Sequence, residues 1–356
     1  MNSIKQIIVL SPGFPTDEQE LDCIPIIQNL VSALATADEE IQVKVISFQY
    51  PFTARTYLWN QVEIIALGGK NSPYPHRFIT WSKALHHIHK QCKNKKETIL
   101  LAMWLTECAW IGSIYSRLYN IPLYAIIVGQ DSKPKNKYLK ILPLKKMKVI
   151  GMSQHSVEEY YNTTGHQVDY MIPLGLDCNR FNQLTIPADE ARDIDIIGVG
   201  SLSFLKNYLR FVKIVHRLIP AFPTLKTVIV GGNEEQKADI VSYIQAHDLA
   251  DHITLTGAID RMEVIAYLHR SKLFLHTSTT EGQAYVFFEA LYAGLHCVTT
   301  DVGRPTVKDR MWVGNTDEEL IGYLTALLRQ KLDHSRYQVP STQDTARQIL
   351  NVMSQG

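Results

Sequence analysis

The stretch EGQAYVFFEALYAG, residues 281–294, lies between two short apolar runs that look like strands. Apolar residues recur at helical spacing from Ala284 onward until Gly294, which predicts a helix that ends at this glycine. Gly282 lets the preceding loop approach a ligand closely. A loop that leads into a helix offers free N–H groups and the positive end of a dipole. The pattern therefore favours a phosphate site.

Two carboxylates bracket this predicted phosphate site. Glu281 lies in the loop, and Glu289 follows about two turns later, on the helix. Because a carboxylate repels a phosphate, the expected targets of both acids are hydroxyl groups of a sugar or ribose attached to it. The alternative is an ordinary boundary between a loop and a helix with two solvated acids. The spacing alone does not decide between these interpretations.

Short apolar runs alternate with helix-like segments along the whole chain, which predicts α/β domains with doubly wound parallel sheets. The predicted strands are 4–10, 41–48, 62–67, 98–104, 123–128, 149–152, 194–199, 227–230, 253–255, 272–276 and 295–299. Prolines and polar residues interrupt the pattern at 171–193. We therefore predict one domain at 1–178 and a second at 179–341, with an amphipathic helix at about 342–356 that can pack back on the first.

Taken together, these motifs resemble the large family of retaining nucleotide-sugar glycosyltransferases with the GT-B fold, of the group 1 or family 4 type. Its two glutamates eight residues apart match Glu281 and Glu289. The other matching pieces follow in the family's order: 7–15, Ser153, 172–177, 200–207, 231–233 and 255–257. The resemblance implies two Rossmann-like domains that face each other across a cleft. It also implies an enzyme that moves a sugar from a nucleotide diphosphate sugar to a hydroxyl acceptor, in glycan, polysaccharide or glycolipid biosynthesis.

Lys206 is the cation expected to neutralise the leaving diphosphate, because it lies between a predicted strand end and a helix start. The resemblance makes it a catalytic and donor-binding residue, whereas a lone lysine here would be interpreted as solvated. The family usually has an arginine where this chain has Ser201, itself a donor-side position. One of two expected cations is thus missing, and Arg304 or Lys308 could replace it.

The resemblance places Glu281 beside the transferred sugar as a catalytic residue and Glu289 on the ribose of the donor. Backbone N–H groups between them are expected to meet sugar hydroxyls or phosphate, namely those of Gly282, Gln283 and Ala284. The family often has other residue types at the last two positions. The identity of the sugar therefore cannot be read from the sequence.

Two residues at predicted strand ends, Gly13 and Asp131, are candidates for the acceptor side, since ligands of such sheets bind at the carboxyl ends of strands. The family often has a histidine where this chain has Val128, so a histidine contact to the donor sugar cannot be transferred. An acidic rim follows Gly13, formed by Glu18, Glu20 and Asp22. It suits an acceptor with hydroxyls or an amine, although such acids are more often solvated.

No metal and no other cofactor is expected. His86, His87 and His89 lie on one predicted helix but lack the His-Glu-x-x-His arrangement. A rival class is a nicotinamide-dependent oxidoreductase, but no G-x-G-x-x-G follows the first strand. A second rival is a catalytically silent sugar-nucleotide binder or partner subunit, which the missing histidine and arginine favour.

Seven lysines lie among apolar residues at 133–148, and such a basic amphipathic segment can lie on an anionic membrane. The alternative is a solvated helix face. Aromatic residues with a charged neighbour occur elsewhere in the same domain: Tyr74, His76, Arg77, Phe78 and Trp81. The formal net charge of +1 gives no reason to expect a nucleic-acid partner.

The N-terminal apolar run is too short for a signal peptide, and no stretch approaches the roughly 20 apolar residues of a membrane-spanning helix. The five cysteines form no C-x-x-C pair. These observations predict a cytoplasmic protein, attached peripherally to the inner face of the membrane if the lysines at 133–148 contact lipid.

Overall fold

The computed structural model describes residues 4–20, 23–185, 191–232, 235–279, 285–303, 307 and 309–355. The chain divides into two compact units. The first unit comprises residues 1–175 and 340–356, and the second comprises residues 176–339.

The first unit contains one eight-stranded sheet in the order β3-β4-β2-β1-β5-β6-β7-β8. Its strands are β1 Gln6–Gly13, β2 Gln42–Tyr50, β3 Arg55–Trp59, β4 Val62–Ala66, β5 Thr98–Met103, β6 Leu123–Ile127, β7 Lys148–Gly151 and β8 Tyr170–Met171. Its helices are α1 Pro25–Ala37, α2 Arg77–Gln91, α3 Glu107–Tyr119 and α4 Gln154–Thr164. Every residue of β5 is buried, as expected for a strand whose two faces are both covered.

The second unit contains a six-stranded sheet, all parallel, in the order β11-β10-β9-β12-β13-β14. Its strands are β9 Ile194–Val199, β10 Thr227–Val230, β11 Ile253–Gly257, β12 Ser271–His276, β13 His296–Thr299 and β14 Met311–Val313. Its helices are α5 Cys178–Asn182, α6 Tyr208–Leu218, α7 Lys237–Ala246, α8 Arg261–His269, α9 Val286–Tyr292 and α10 Asp317–Leu328.

Both sheets have the strand order that creates a ligand crevice. In the first unit β1 lies between β2 and β5, and in the second β9 lies between β10 and β12. The chain reverses the direction in which it adds strands at these points, so loops at the carboxyl ends separate and leave a crevice. The candidate residues must therefore be sought at the carboxyl ends of the strands.

The last helix, α11 Thr342–Gln355, belongs to the first unit, where it packs against α1. The Thr345 hydroxyl accepts a hydrogen bond from Gly175 N at 2.8 Å and donates one to Pro173 O at 2.8 Å. Tyr124 donates to Val352 O at 3.2 Å. The chain thus leaves the first unit after residue 175 and returns to it at residue 340.

The edge strand β3, which runs antiparallel to β4, was not expected from the sequence. Three of its five residues are exposed, so it does not show the continuous apolar run of a buried strand. Exposure also explains why its hydrophobic pattern carries little signal, since one face of an edge strand can contact water.

The lysine-rich segment 133–148 does not form a continuous α-helix. It contains two short 3-10 turns, Lys137–Lys140 and Leu144–Lys146, and runs from the carboxyl end of β6 back to the amino end of β7. Pro143 between the turns cannot donate a helical hydrogen bond and blocks a continuous helix. The lysines are therefore distributed along a flank of the sheet.

None of the helices in the described residues combines the length and the apolar character needed to span a membrane.

Candidate active site

Two glycines bring the ends of β9 and β10 into direct contact. Gly200 and Gly231 have φ angles of 152° and 149°, a conformation that side chains rarely adopt. A Cβ atom on Gly231 would lie only 1.9 Å from the carbonyl oxygen of Gly200. Both positions thus require glycine, and they place two loops together at the carboxyl edge of the second sheet.

Lys206 lies in the loop between β9 and α6, where its aliphatic chain runs past Gly200. A Cβ atom on Gly200 would be 3.4 Å from Cε of Lys206. Ser201 is exposed, and its hydroxyl is 3.4 Å from that of Ser203. The structure therefore places Lys206 and Ser201 in the same strand-end loop, of which only Lys206 carries a charge.

The loop after β12 is bonded to the backbone around Lys206. Thr277 donates from its hydroxyl to the carbonyl oxygens of Lys206 at 3.1 Å and Asn207 at 3.0 Å. Thr279 N donates to Leu205 O at 2.9 Å. These bonds connect the loop that precedes Glu281 to the loop that carries Lys206. No sequence pattern indicates them, because a threonine in a loop has no distinctive signature.

Glu289 lies in the first turn of α9 and is only 3 % exposed. Its carboxylate forms a hydrogen-bonded ion pair with the guanidinium of Arg261, the first residue of α8. Burial lowers the pKa of Arg261. The predicted ribose-binding carboxylate is thus buried at the carboxyl edge of the sheet, and it is held by an arginine.

Arg261 was missed in the sequence, although one signal could have revealed it. Asp260 and Glu263 form a capping box that marks the start of α8. A cation at the first position of a helix opposes the helix dipole, so it requires an acidic partner.

Nearby, Tyr285 accepts a hydrogen bond from Asp177 N at 3.1 Å, and Asp177 pairs with Arg180 at 3.1 Å.

Four predicted donor-side residues lie outside the described residues: Glu281, Gly282, Gln283 and Ala284. The two residues considered as substitutes for the missing arginine, Arg304 and Lys308, also lie outside them. Their roles stay predictions.

In the first unit, Gly13 is the last residue of β1 and is paired in the sheet with Tyr50. A Cβ atom here would lie 3.3 Å from Ile24 Cδ1, so the backbone is closely packed. Glu20 accepts hydrogen bonds from Thr16 N and, at 2.6 Å, from the Tyr50 hydroxyl, which raises the pKa of Tyr50 to about 12. This acid is therefore part of a bonded rim at the end of β1 rather than merely solvated.

Within the same predicted acidic rim, Glu18 accepts a hydrogen bond from Asn60 N at 3.1 Å, and Asp22 lies outside the described residues.

Asp131 is buried, and both of its carboxylate oxygens accept backbone hydrogen bonds. The donors are Leu105 N at 3.1 Å, Val128 N at 3.2 Å and Gly129 N at 3.0 Å. Burial raises the pKa of Asp131, while these N–H groups act in the opposite direction. Its carboxylate connects the loops that follow β5 and β6, and direct contact with an acceptor stays a prediction.

Glu107, the first residue of α3, is a buried carboxylate that the sequence pattern did not single out. It accepts hydrogen bonds from Trp81 Nε1 at 2.8 Å and from Gln49 Nε2 at 2.5 Å. Arg77 Nε lies 3.6 Å from the same carboxylate. A single acid within the apolar run 99–111 was the available signal, because a buried carboxylate requires partners.

The loop between β5 and α3 is held in an unusual conformation. Trp104 has a φ of 70°, which is rare for a bulky residue. Asn136 donates from its side chain to Leu105 O at 2.7 Å, and Asp131 accepts from Leu105 N. Side chains from the β6–β7 connection thus hold this loop at the crevice of the first sheet. Strained backbone of this kind is often found at ligand sites.

Among the described residues, no group of three or more histidine, cysteine, aspartate or glutamate side chains is placed to hold a metal ion.

Comparison with known proteins identifies a family match within the second unit. Residues 182–331, which make up most of the second unit, match the family model "Glycosyl transferases group 1". Among curated relatives, a phosphatidylinositol N-acetylglucosaminyltransferase subunit from Arabidopsis thaliana is 27% identical over 135 residues, 38% of this chain and 30% of the relative. The human subunit of the same name is 30% identical over 110 residues, 31% of this chain and 22% of the relative.

A bacterial relative, 2-deoxystreptamine N-acetyl-D-glucosaminyltransferase from Niallia circulans, is 27% identical over 110 residues, 31% of this chain and 28% of the relative. The chain thus matches less than a third of the length of each of these three curated relatives.

Solved structures match over the whole chain. A glycosyltransferase from Rickettsia africae covers 100% of this chain and 99% of its own, with a TM-score of 0.76 and 14% identity. The Anabaena protein HepE, solved in complex with UDP and glucose, covers 99% and 100%, with a TM-score of 0.71 and 15% identity. Residues 182–331 therefore match the group 1 glycosyltransferases, a family of transferase enzymes, and the whole chain has the GT-B fold. The predicted family and fold class are confirmed.

Proposed function

We propose that this protein moves a sugar from a nucleotide diphosphate sugar to a hydroxyl acceptor and retains the anomeric configuration. The observation that carries the proposal is the arrangement at the carboxyl edge of the second sheet. Lys206 lies against Gly200 and is bonded through its backbone to the loop that precedes Glu281, while Glu289 is buried on the helix that follows. This unit is also the one that matches the family model.

The donor that we propose to test first is UDP-N-acetylglucosamine. The relatives described above are named as N-acetylglucosaminyltransferases, and HepE was solved with UDP. In this proposal Glu289 accepts hydrogen bonds from the ribose hydroxyls, and such charge-assisted bonds are strong. The backbone N–H groups of 282–284 contact the sugar or the phosphates, and Glu281 lies beside the sugar.

In the proposed reaction, the bond between the anomeric carbon and the diphosphate oxygen breaks, and the acceptor oxygen forms the new bond on the same face of the sugar. The acceptor proton passes to the leaving phosphate. Lys206 stabilises the negative charge that develops on that phosphate, and an interaction that strengthens in the transition state accelerates the step. The residues named here supply the charge, so we propose no metal ion and no other cofactor.

The proposed acceptor is a carbohydrate, lipid-linked or other hydroxyl compound, and it meets the first unit near Gly13 and Asp131. The proposed setting is the biosynthesis of a glycan, polysaccharide or glycolipid at the cytoplasmic face of a membrane. The lysines of 133–148 support peripheral contact with anionic lipid, because most of them are exposed. We propose no nucleic-acid partner.

One observation favours a second candidate, a protein that binds a sugar nucleotide but turns it over slowly or not at all. Ser201 stands where the family usually has an arginine, and its exposed hydroxyl contributes no charge. The two candidates share the donor site and differ in the chemistry that follows binding.

A donor screen followed by turnover separates these candidates. Melting curves with UDP-, GDP- and ADP-sugars identify the donor, because a ligand that binds the native state raises its stability. Release of the nucleoside diphosphate is then measured with an acceptor mixture. Lys206→Ala is compared with Lys226→Ala, which removes an exposed lysine next to the amino end of β10. Sugar transfer that is reduced by Lys206→Ala but not by Lys226→Ala supports the enzyme. Binding of a sugar nucleotide without transfer supports the silent binder. If no sugar nucleotide shifts the melting curve, the proposal is wrong.

A further inference from the structure

The loop before α2 and the first turn of α2 form an exposed apolar surface around a charged residue. Tyr74, Phe78 and Ile79 each expose more than half of their side-chain surface. Tyr74 and Phe78 contact each other with ring centroids 5.7 Å apart, and both contact the buried Trp81 at 5.5 and 5.1 Å. The exposed rings are therefore fixed on a buried base, which makes them a preformed surface.

Arg77 lies within this surface and is positioned by a buried acid. Its Nε lies 3.6 Å from the carboxylate of Glu107. Glu107 already accepts hydrogen bonds from Trp81 and Gln49. Its negative charge therefore orients Arg77 by electrostatic attraction rather than by a hydrogen bond. Across the described part of the chain, no residue accepts a hydrogen bond from the Arg77 guanidinium, whose Nε is buried. The two terminal nitrogens of Arg77, which are not buried as Nε is, present planar donors that a phosphate matches.

The nearby charges are suited to an anion. Tyr138, in the first 3-10 turn of the lysine-rich segment, is half-buried against the same core as Trp81. Burial raises the pKa of the Tyr138 hydroxyl to about 12, and the charges of Glu107 and Arg77 also act on it, so this turn lies next to the start of α2. Lys135 and Lys137 lie just before Tyr138 in the chain and are exposed. The surface therefore combines basic groups with exposed apolar side chains.

We infer that this surface binds an anionic phospholipid, with the lipid phosphate on Arg77 and the glycerol and upper acyl region against Tyr74, Phe78 and Ile79. A free phosphate would use the arginine but not the three apolar residues, whereas a neutral apolar partner would leave the arginine and lysines unmatched. A phospholipid surface satisfies both, because its charge lies directly above hydrocarbon. The inference specifies the membrane contact of the proposed function and names its residues.

The test is the partition of the full chain onto phosphatidylcholine vesicles with and without phosphatidylglycerol, measured by co-flotation. We expect binding only when phosphatidylglycerol is present. Arg77→Gln lowers the partition coefficient by about fivefold at low salt, since one basic residue near an anionic surface contributes about that factor. Phe78→Ser with Ile79→Ser lowers it by at least about tenfold, because two apolar side chains are no longer buried in the interface. Arg77→Lys, which keeps the charge, retains most of the binding.

Matched controls lie at the other edge of the same unit. Arg117 and Leu118 are exposed near the end of α3, which lies at the amino edge of the strands, and Arg117→Gln and Leu118→Ser leave binding unchanged. Melting curves and nucleotide calorimetry on every variant keep the test separate from the donor site. Vesicle binding with no sugar-nucleotide binding would contradict the proposed function but not this inference.

Two results would overturn the inference. The first is partition of Arg77→Gln equal to that of the unchanged chain together with a lower melting temperature, which would make Arg77 a structural partner of Glu107. The second is competition by millimolar glycerol phosphate with no effect of the serine substitutions, which would make this a site for a free phosphate. Equal binding to neutral vesicles would also contradict it.

Discussion

Both units bury a glutamate at the carboxyl ends of their strands, but different groups satisfy its carboxylate in the two units. Each has a buried glutamate in the first turn of a helix, Glu107 on α3 and Glu289 on α9. Each glutamate faces an arginine that is the first residue of another helix, Arg77 on α2 and Arg261 on α8. A cation at that position opposes the helix dipole and is stabilised by the acid.

The two units differ in which groups donate hydrogen bonds to the buried carboxylate. Glu107 takes hydrogen bonds from the neutral donors of Trp81 and Gln49, and its arginine stays at 3.6 Å. Glu289 is bonded to its arginine directly. In the first unit the acid is satisfied without the arginine, which can then bind something else. In the second unit a ribose bound as we propose would share Glu289 with Arg261, so ligand binding and the ion pair would be coupled.

The largest effect is expected when the acid of the first unit is removed. Glu107→Ala leaves the indole of Trp81 and the amide of Gln49 without an acceptor and Arg77 without a counter-charge. We expect the free energy of unfolding to fall by about 3–5 kcal/mol, as for other broken buried pairs. Urea denaturation measures it. Glu107→Gln, which keeps one oxygen, is the control and loses less. A loss within the scatter of surface substitutions would show that Glu107 is not the acceptor for these donors.

The next effect concerns Lys206, which supplies a charge in the second unit. If it stabilises the leaving diphosphate, Lys206→Ala lowers turnover by at least about a hundredfold, comparable to the loss of one transition-state donor. Lys206→Gln keeps a donor without the charge and rescues little. Steady-state kinetics with the identified donor and acceptor check this, and melting curves confirm that the variants fold. Near-normal turnover in a folded Lys206→Ala variant would remove Lys206 from the mechanism.

Glu289 is expected to affect binding more than folding. Glu289→Ala lowers the affinity for UDP by at least about tenfold, because charge-assisted hydrogen bonds to the ribose are lost. Calorimetry with UDP measures this, with melting curves as the folding control. Unchanged affinity would exclude Glu289 as the ribose ligand.

A double-mutant cycle of Glu289→Ala with Arg261→Gln tests the contrast between the units. We expect a coupling energy for UDP binding of about 1 kcal/mol or more, since the two side chains are in contact. A second cycle combines Glu107→Gln with Arg77→Gln and measures partition onto vesicles. We expect a smaller coupling energy there, because the contact between these two side chains is not a hydrogen bond. Equal coupling in the two pairs would remove the distinction.

The smallest effect is expected from restoring the missing cation. Ser201→Arg adds a charge in the loop that carries Lys206, where the exposed serine leaves room for a longer side chain. Turnover should rise by no more than about threefold with little change in stability, because the added donor acts on charge that develops during the reaction. Lower or unchanged turnover would show that this position no longer contacts the diphosphate.

The fold could be predicted well from the sequence for a physical reason. Strands buried on both faces, such as β5, appear as continuous apolar runs, and parallel sheets contain many of them. The edge strand β3 and the 3-10 turns of 133–148 escaped this reasoning, since exposed or proline-interrupted segments leave no period to detect. The lysine content of 133–148 likewise does not reveal that this segment forms 3-10 turns.

By itself, the sequence determined the alternation of strands and helices, the family motif around Glu281 and Glu289, and the placement of Lys206 at a strand end. These features are local, and each is encoded by a few neighbouring residues. Only the tertiary structure decided that Glu289 pairs with Arg261, that Thr277 holds the loop of Lys206, and that Glu107 orients Arg77. Such contacts join residues far apart in the chain, and burial, which no local pattern reports, determines which polar groups must find each other.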